Sequence, residues 1–294
     1  QGADPERAAA ERLPAARAPV SPPELAAWGA FGVFVGAYGT LVGAGGGFLV
    51  VPALLLVLKV PPGIAAGTSL VVVLFNASSG TLAYARRRLV DWRTALLFAA
   101  ATVPGSLLGP ALVPIIPERI FQGGLGILMI LVAAFLAARP LPALRAKPPA
   151  GFTPAERRQV RRSITDIDGN THDLAFNPVW GVALSFLVGF LSSILGIGGG
   201  VIHVPFLVYA LGFPPHLAIA TSHATLAVSA GVGVAEHARL GHVLWTHALP
   251  MGLGALIGAQ LGAGLSRRLK IPLVIRALAL AIALVGLRCL WTVL

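Results

Sequence analysis

Charged residues are scarce in this sequence. Only 11% of the 294 residues are Asp, Glu, Lys or Arg, whereas 56% are hydrophobic and the mean hydropathy is +0.83. Soluble domains carry about 25% charged residues, so a soluble fold is disfavoured. Four windows of bilayer-spanning length contain no charged side chain at all, and we interpret them as membrane helices: 64–85, 94–116, 120–138 and 243–266.

Cysteines and intramembrane acids are equally rare. The single Cys289 excludes an intrachain disulfide and any cysteine cluster for a metal or redox centre. The four apolar windows contain no acidic residue, which disfavours a sodium or cation carrier built on buried carboxylates. The sequence also lacks zinc spacing, a P-loop and a Ser-His-Asp pattern. We therefore expect no enzyme, no cofactor and no metal site.

The positive charge lies between the apolar windows. The formal net charge is +11, yet its placement is the one expected of loops retained on the cytoplasmic side of a membrane. A nucleic-acid partner, which would bind a clustered basic patch, is disfavoured. Residues 1–24 are rich in Ala, Pro and Arg and lack an apolar core, so we expect a tail rather than a signal peptide.

The sequence contains an internal repeat. Residues 35–69 align without a gap onto residues 188–222, a constant shift of 153, and 15 of the 35 positions are identical. Each copy has a Gly-x-Gly-Gly-Gly run, then Val-Pro, Pro-Pro and Thr-Ser. Shared apolar composition alone does not explain this agreement, so we predict two homologous halves.

Each copy opens with an uncharged stretch of unusual length, 28–58 and 178–212. A straight helix over either stretch would measure roughly 45 to 50 Å, too long for one crossing of a core of roughly 30 Å and too short for two crossings. The triple glycines near the middle would interrupt the helix. We predict two short helical arms with a glycine tip that is buried in protein or faces a water-filled cavity.

Three full spans are expected to follow each hairpin, which gives an all-α polytopic membrane protein with halves of opposite topology, an inverted repeat. In that topology one side receives 14 Lys or Arg and the other 6, as the positive-inside rule requires. Four spans per half in parallel repeats is the alternative. The predicted segments are a tail at 1–24, repeats at 25–138 and 178–294, and a basic cytoplasmic loop at 139–177.

The connecting loop contains one structured element in our prediction. Ile164 to Leu174 reads ITDIDGNTHDL, which is typical of a small β-hairpin turn. Its polar residues also suggest a calcium loop, but their spacing does not match an EF-hand; they are Asp166, Asp168, Asn170 and Asp173.

The two glycine tips are the predicted binding site. A broken membrane helix exposes N–H groups and a positive dipole end at the start of its second arm, and both favour an anion. Close helix packing is the alternative explanation of the glycines. The candidate anion contacts are Gly45, Gly46, Gly47, Phe48, Gly198, Gly199, Gly200 and Val201 at the tips, with Thr68, Ser69, Asn76, Thr221 and Ser222 downstream.

Two histidines fall at membrane depth in the second half only. His203 follows the second glycine run and His223 follows the second Thr-Ser, while Val50 and Leu70 take these positions in the first half. Each imidazole could contact the anion or carry a coupling proton. A neutral histidine held by a backbone carbonyl is the other explanation.

These residues also indicate a family. The segments LVGAGGGFLVVP and ILGIGGGVIHVP, each followed by Pro-Pro and Thr-Ser, resemble the TauE/SafE family of sulfite and organosulfonate exporters. The resemblance covers nearly the whole chain from Trp28. It implies a multi-pass permease of a bacterial-type inner membrane for sulfite, sulfoacetate or a related sulfur oxyanion.

Composition, repeat and resemblance together predict a secondary transporter that exposes a small anion alternately to each side of the lipid bilayer. An anion channel that uses the tips as a filter is one alternative. A membrane subunit or sensor whose basic loop recruits a partner is another. The oligomeric state is left open by the sequence.

Overall fold

The computed structural model describes residues 21–138, 160–165, 167, 169, 171–266 and 271–292. Within these residues the chain forms ten α-helices and one β-hairpin. The first half contains α1 (Pro22–Val42), α2 (Gly47–Ala53), α3 (Pro62–Ala85), α4 (Trp92–Leu112) and α5 (Glu118–Ala138). The second contains α6 (Pro178–Leu195), α7 (Gly200–Tyr209), α8 (Pro215–Arg239), α9 (Trp245–Leu265) and α10 (Ile271–Trp291), with β1 (Val160–Thr165) and β2 (Thr171–Phe176) between the halves.

Long apolar helices dominate the structure, as the uncharged windows predicted. Seven of the described helices are long and apolar enough to cross a membrane: α1, α3, α4, α5, α6, α8 and α9. The most enclosed of them are α3 and α8, which are 78% and 72% buried over their most apolar windows. The all-α polytopic membrane fold is confirmed, and α3 and α8 form its centre.

The packing of the helices repeats between the halves. Helix α1 packs on α9 as α6 packs on α4, and α3 packs on α9 as α8 packs on α4. The remaining large contacts join equivalent helices, α3 with α8 and α5 with α10. Exchanging the two halves therefore leaves the pattern of helix contacts unchanged, as expected from two homologous halves.

The facing residues give the helix directions. Helices α1 and α3 both run parallel to α9, because facing residue numbers rise together: Gly32 with Met251, Gly36 with Ala255, Thr68 with Leu244 and Ser79 with Leu256. Helix α4 likewise runs parallel to α8, since Asp91 faces Thr221 and Ala95 faces Thr225. It also runs parallel to α6, since Phe98 faces Gly181 and Thr102 faces Gly189.

Helices α3 and α8 run antiparallel, because Gly80 faces His223 while Leu70 faces Gly233. It follows that α1, α3 and α9 run one way and α4, α6 and α8 the other. Each of these helices runs opposite in direction to its counterpart in the other half. The inverted repeat across a membrane, and how the halves lie in a bilayer, stay predictions.

The two arms of each hairpin are unequal, which differs from the predicted pair of short arms. The first arms, α1 and α6, have 21 and 18 residues. The second arms are shorter: the 7 residues of α2 continue into the 5-residue π-helix Leu54–Leu58, and α7 has 10 residues. Helix α1 begins before the uncharged stretch, because Ser21 and Glu24 form a capping box and Pro22 occupies the first turn. The glycines then end α1 only after a nearly complete crossing.

The connecting loop contains the predicted β-hairpin, with Thr165 paired to Thr171 at its turn end. Its apolar side chains Leu174 and Phe176 are buried in a cluster that includes Phe213, just before α8. The hairpin thus covers one end of the helix bundle. The Asp166, Asp168 and Asn170 of the calcium interpretation lie outside the described residues.

Candidate functional site

Left-handed glycines shape both tips. The φ angles of Gly45 and Gly46 are 75° and 83°, and those of the equivalent Gly198 and Gly199 are 78° and 58°. Residues with a Cβ rarely adopt this conformation, whereas glycine does so at little cost. Gly46 and Gly199 form the N-caps of α2 and α7. The repeated glycine motif therefore encodes a sharp reversal in each half.

The two tips meet in the middle of the protein. A Cβ built on Gly47 would lie 2.5 Å from the carbonyl oxygen of Gly196, and one built on Gly45 would lie 3.8 Å from that of Gly198. Val73, halfway along α3, contacts both tips. Residues 41–48 and 192–201 are all buried. The structure therefore brings the predicted glycine sites together and holds them closed.

The backbone amides at the tips lack acceptors. Within the described chain, seven tip N–H groups donate no hydrogen bond to a backbone or side-chain atom: those of Gly45, Gly46, Gly47, Phe48, Gly198, Gly199 and Val201. The N–H of Gly200 donates to the carbonyl oxygen of Gly198 at 2.5 Å. Buried amides without acceptors are rare and costly. Together with the dipoles of α2 and α7 they make this region electropositive.

The two threonines of the Thr-Ser pairs anchor the starts of neighbouring helices. Thr68 Oγ1 accepts a hydrogen bond of 2.9 Å from the backbone N–H of Leu244, just before α9. Thr221 Oγ1 accepts one of 3.2 Å from the N–H of Asp91, just before α4. The two contacts are equivalent under the shift of 153, so the repeat conserves a structural link at these positions.

The two serines of these pairs differ. Ser69 Oγ donates to the carbonyl oxygen of Gly196 at 2.7 Å and so holds the tip of the other half. Ser222 Oγ instead lies 3.3 Å from Nδ1 of His203, whose Nε2 is 3.5 Å from Ser185 Oγ. Both ring nitrogens of His203 are thus engaged by serines.

Asn76 is hydrogen-bonded within the first half. Its Nδ2 donates to the carbonyl oxygen of Gly36 at 3.1 Å, and its Oδ1 accepts from the hydroxyl of Thr40 at 2.6 Å. The side chain is fully buried beside the first tip. It therefore ties α3 to the end of α1.

His223 has one free ring nitrogen. Its Nδ1 lies 3.1 Å from the carbonyl oxygen of Ile219, whereas its Nε2 is buried and has no partner among the described residues. The ring packs edge-on against Tyr84, with centroids 5.7 Å apart, and lies against Gly80. The carbonyl contact fits a proton on Nδ1, which leaves the lone pair of Nε2 available.

Two further groups lie near the tips, where the sequence did not place them. Ser192 Oγ is buried beside Gly199 and has no hydrogen-bond partner in the part of the chain that the structure describes. His237 Nε2 lies 2.8 Å from the carbonyl oxygen of Ser193. Ser192 and Ser193 were visible as polar residues just before the second glycine run, but their neighbours were not. In the described part of the chain, no three His, Cys, Asp or Glu side chains come together as metal ligands would.

Known proteins share this sequence pattern along nearly the whole chain. A family model described as "Sulfite exporter TauE/SafE" matches residues 28–289. The chain belongs to the TauE/SafE family. Together with the seven apolar helices, membership of TauE/SafE makes the chain a multi-pass membrane transporter.

Several TauE/SafE relatives are similar over most of their length. The chain is 32% identical over 269 residues to the "Probable membrane transporter protein YunE" of Bacillus subtilis, covering 88% of this chain and 95% of that protein. It is 30% identical over 254 residues to a "Probable membrane transporter protein" of Xylella fastidiosa (strain Temecula1), covering 85% and 89%. No solved structure matches the chain significantly.

Proposed function

We propose that this chain is a secondary transporter that moves a small sulfur-containing oxyanion, such as sulfite or sulfoacetate, across the cytoplasmic membrane by alternating access. The observation that carries the proposal is the set of unpaired amides at the two touching glycine tips. The description of the family model, a sulfite exporter, supports the sulfur oxyanion as substrate.

The chemistry of the tips suits an anion without a fixed counter-charge. No Lys or Arg is buried among the described residues, so the positive potential comes from N–H groups and helix dipoles. An oxyanion presents several acceptor oxygens and can pair with several amides at once. A cation would be repelled by the positive ends of α2 and α7, and a neutral solute would gain little from these dipoles.

Access to the tips requires movement. Both tips are buried and in contact, so an anion reaches the amides only when the tips separate. Because the long helices of one half run opposite to those of the other, we expect α2 and α7 to leave the tips in opposite directions. We propose that the halves are inserted with opposite orientation, with the basic segment 139–177 in the cytoplasm, and that each tip opens towards one side.

His223 is the better candidate for a coupling proton. The lone pair of its Nε2 is free in the described structure, whereas both ring nitrogens of His203 face serine hydroxyls. A proton gained by His223 would place a positive charge near Gly80, next to the central helices. We propose that this charge couples anion movement to a proton gradient.

Counterflow in proteoliposomes tests the function. Labelled sulfite, thiosulfate, sulfoacetate and sulfate are supplied outside, with the unlabelled anion inside and a pH gradient on or off. We expect saturable exchange of at least one sulfur oxyanion. Exchange of none of the four would refute the proposed substrate class. An anion channel would instead give currents at channel rates and no counterflow.

Glycine variants test the site. Gly46→Leu and Gly199→Leu each place a side chain on a backbone with positive φ, which disfavours residues with a Cβ. The added Cβ would also clash with Val35 in the first variant and with Val188 in the second. Both should abolish exchange while the protein remains extractable. Gly124→Leu on α5 is the matched control, because a Cβ there has nothing within 4 Å. Normal exchange in both tip variants would reduce the glycines to packing residues.

A further inference from the structure

The two glycine tips are not equivalent. In the first half, the position 153 residues before Ser192 is Gly39, and a Cβ there would lie 2.9 Å from Nδ2 of Asn76. Asn76 therefore fills the space beside the first tip, and its polar atoms are already bound by Gly36 and Thr40. In the second half Ser229 takes the position of Asn76, and the side chain of Ser192 lies beside the tip, against Gly199.

Ser192 presents a free hydroxyl to the second tip. Its side chain is 1% exposed, and its Oγ has no hydrogen-bond partner within the described residues. The same Oγ lies 3.5 Å from a Cβ built on Gly199, the N-cap of α7. A buried hydroxyl that pairs with no protein group is unusual and points to a ligand that completes it.

The free hydroxyl stands next to free amides. The N–H groups of Gly198, Gly199 and Val201 lack acceptors at the start of α7, a helix of 10 residues. A hydroxyl and three amides are four donors around one helix terminus. An oxyanion with three or more oxygens can accept from all of them.

We propose that the transported oxyanion is held mainly at the second tip, and that Ser192 is a specificity-determining contact that donates its hydroxyl hydrogen to one oxygen of the anion. This inference rests on the proposed function and adds a residue and an asymmetry to it. A Cβ on Gly199 would lie 2.6 Å from Val188. The space is therefore narrow, and the anion enters as α7 moves away from α6.

The test is the Michaelis constant of sulfur-oxyanion counterflow in proteoliposomes. Ser192→Ala removes one donor to a charged ligand and should raise KM about tenfold or more, with the maximal rate changed much less. Ser192→Cys keeps the volume but offers a weaker donor, and its KM should fall between those of wild type and Ser192→Ala. Thermal unfolding in detergent should be unaffected by Ser192→Ala, because no bond within the protein is lost.

The matched control is Ser106→Ala. Ser106 is a buried serine whose Oγ contacts the carbonyl oxygen of Gly189 on α6 at 3.5 Å. Its replacement should leave KM unchanged. If wild type exchanges a sulfur oxyanion and both Ser192 variants keep its KM, the inference about Ser192 is wrong while the proposed function stands. If wild type exchanges none, the proposed function itself fails.

Discussion

The Ser69 hydroxyl of α3 donates a 2.7 Å hydrogen bond to the carbonyl oxygen of Gly196, at the tip of the other half. This bond reaches across the interface between the halves and fixes the second tip against α3. The equivalent Ser222 faces His203 instead. The second tip is therefore held by the first half more directly than the first tip is held by the second.

Loss of this bond should destabilise the closed tips. Ser69→Ala removes the donor and leaves the buried carbonyl oxygen of Gly196 unpaired, which costs about 1 to 3 kcal/mol. We expect a lower midpoint of thermal unfolding in detergent. Ser78→Ala is the control, because Ser78 lies on the same helix but is exposed. Equal midpoints for the two variants would contradict a linking role of Ser69.

The equivalent threonines should behave alike. Thr68→Val and Thr221→Val each remove the oxygen that accepts from a backbone N–H at the start of α9 or α4. Each variant should lower the free energy of unfolding by about 1 to 3 kcal/mol, so their thermal midpoints should fall by similar amounts. A rise in the KM of exchange without any loss of stability would show instead that the threonines bind the substrate, as their place in the repeat suggested.

The sequence predicted the parts of this structure that depend on local pattern. The glycine runs indicated two helix breaks, and the segment from Ile164 to Leu174 indicated the β-hairpin, because glycine and turn residues act through their own backbone. The unequal arms were not predicted. The capping box at Ser21 begins α1 earlier than the apolar stretch does, and a window defined by charge alone does not include it.

The chemistry around the tips depends on distant partners. The acceptor of the Leu244 N–H lies 176 residues away, at Thr68, and sequence spacing alone did not reveal this pairing. The free hydroxyl of Ser192 was hidden for the same reason, since lack of a partner is a property of the packed structure. The sequence repeat was enough to locate the site. Only the packed structure shows which residues near the tips are hydrogen-bonded within the protein and which, like Ser192, are not.

An ion pair should hold the β-hairpin on the bundle. Arg162 Nη1 lies 2.9 Å from Asp91 Oδ1 and 3.1 Å from Thr94 Oγ1, at the start of α4. The Arg162 side chain is 23% exposed, so the pair should contribute about 1 kcal/mol, or roughly a fivefold change in an opening equilibrium. Arg162→Gln should therefore speed amide hydrogen exchange in β1 and β2 by that factor.

The neighbouring Arg161 offers a matched control for the hairpin. It lies on the exposed face of β1, and Arg161→Gln removes the same charge from the same strand. Its exchange rates should stay at the wild-type values. If the two variants accelerate exchange equally, the effect comes from net charge, and the contact with Asp91 does not hold the hairpin.

Acid should destabilise the loop between α8 and α9. Burial lowers the pKa of His242 from its ordinary value, and His242 Nδ1 lies 3.3 Å from His237 Nδ1. In the neutral pair one of these nitrogens donates its proton to the other. When both rings are protonated, both nitrogens are donors, so the hydrogen bond is lost and the two rings repel each other. Glu236 and Arg239, which pair with each other at this end of α8, are the charged groups nearby.

The sign of the effect follows from linkage. A histidine that is harder to protonate when folded costs stability as the pH falls below the unfolded pKa of about 6.5, because the unfolded chain then binds more protons. The unfolding midpoint of wild type should therefore decrease between about pH 7.5 and 5.5. His242→Gln removes this group and should reduce the decrease, while Nε2 of His237 keeps its contact with the Ser193 carbonyl. The same pH dependence in variant and wild type would mean that His242 does not sense pH in this range.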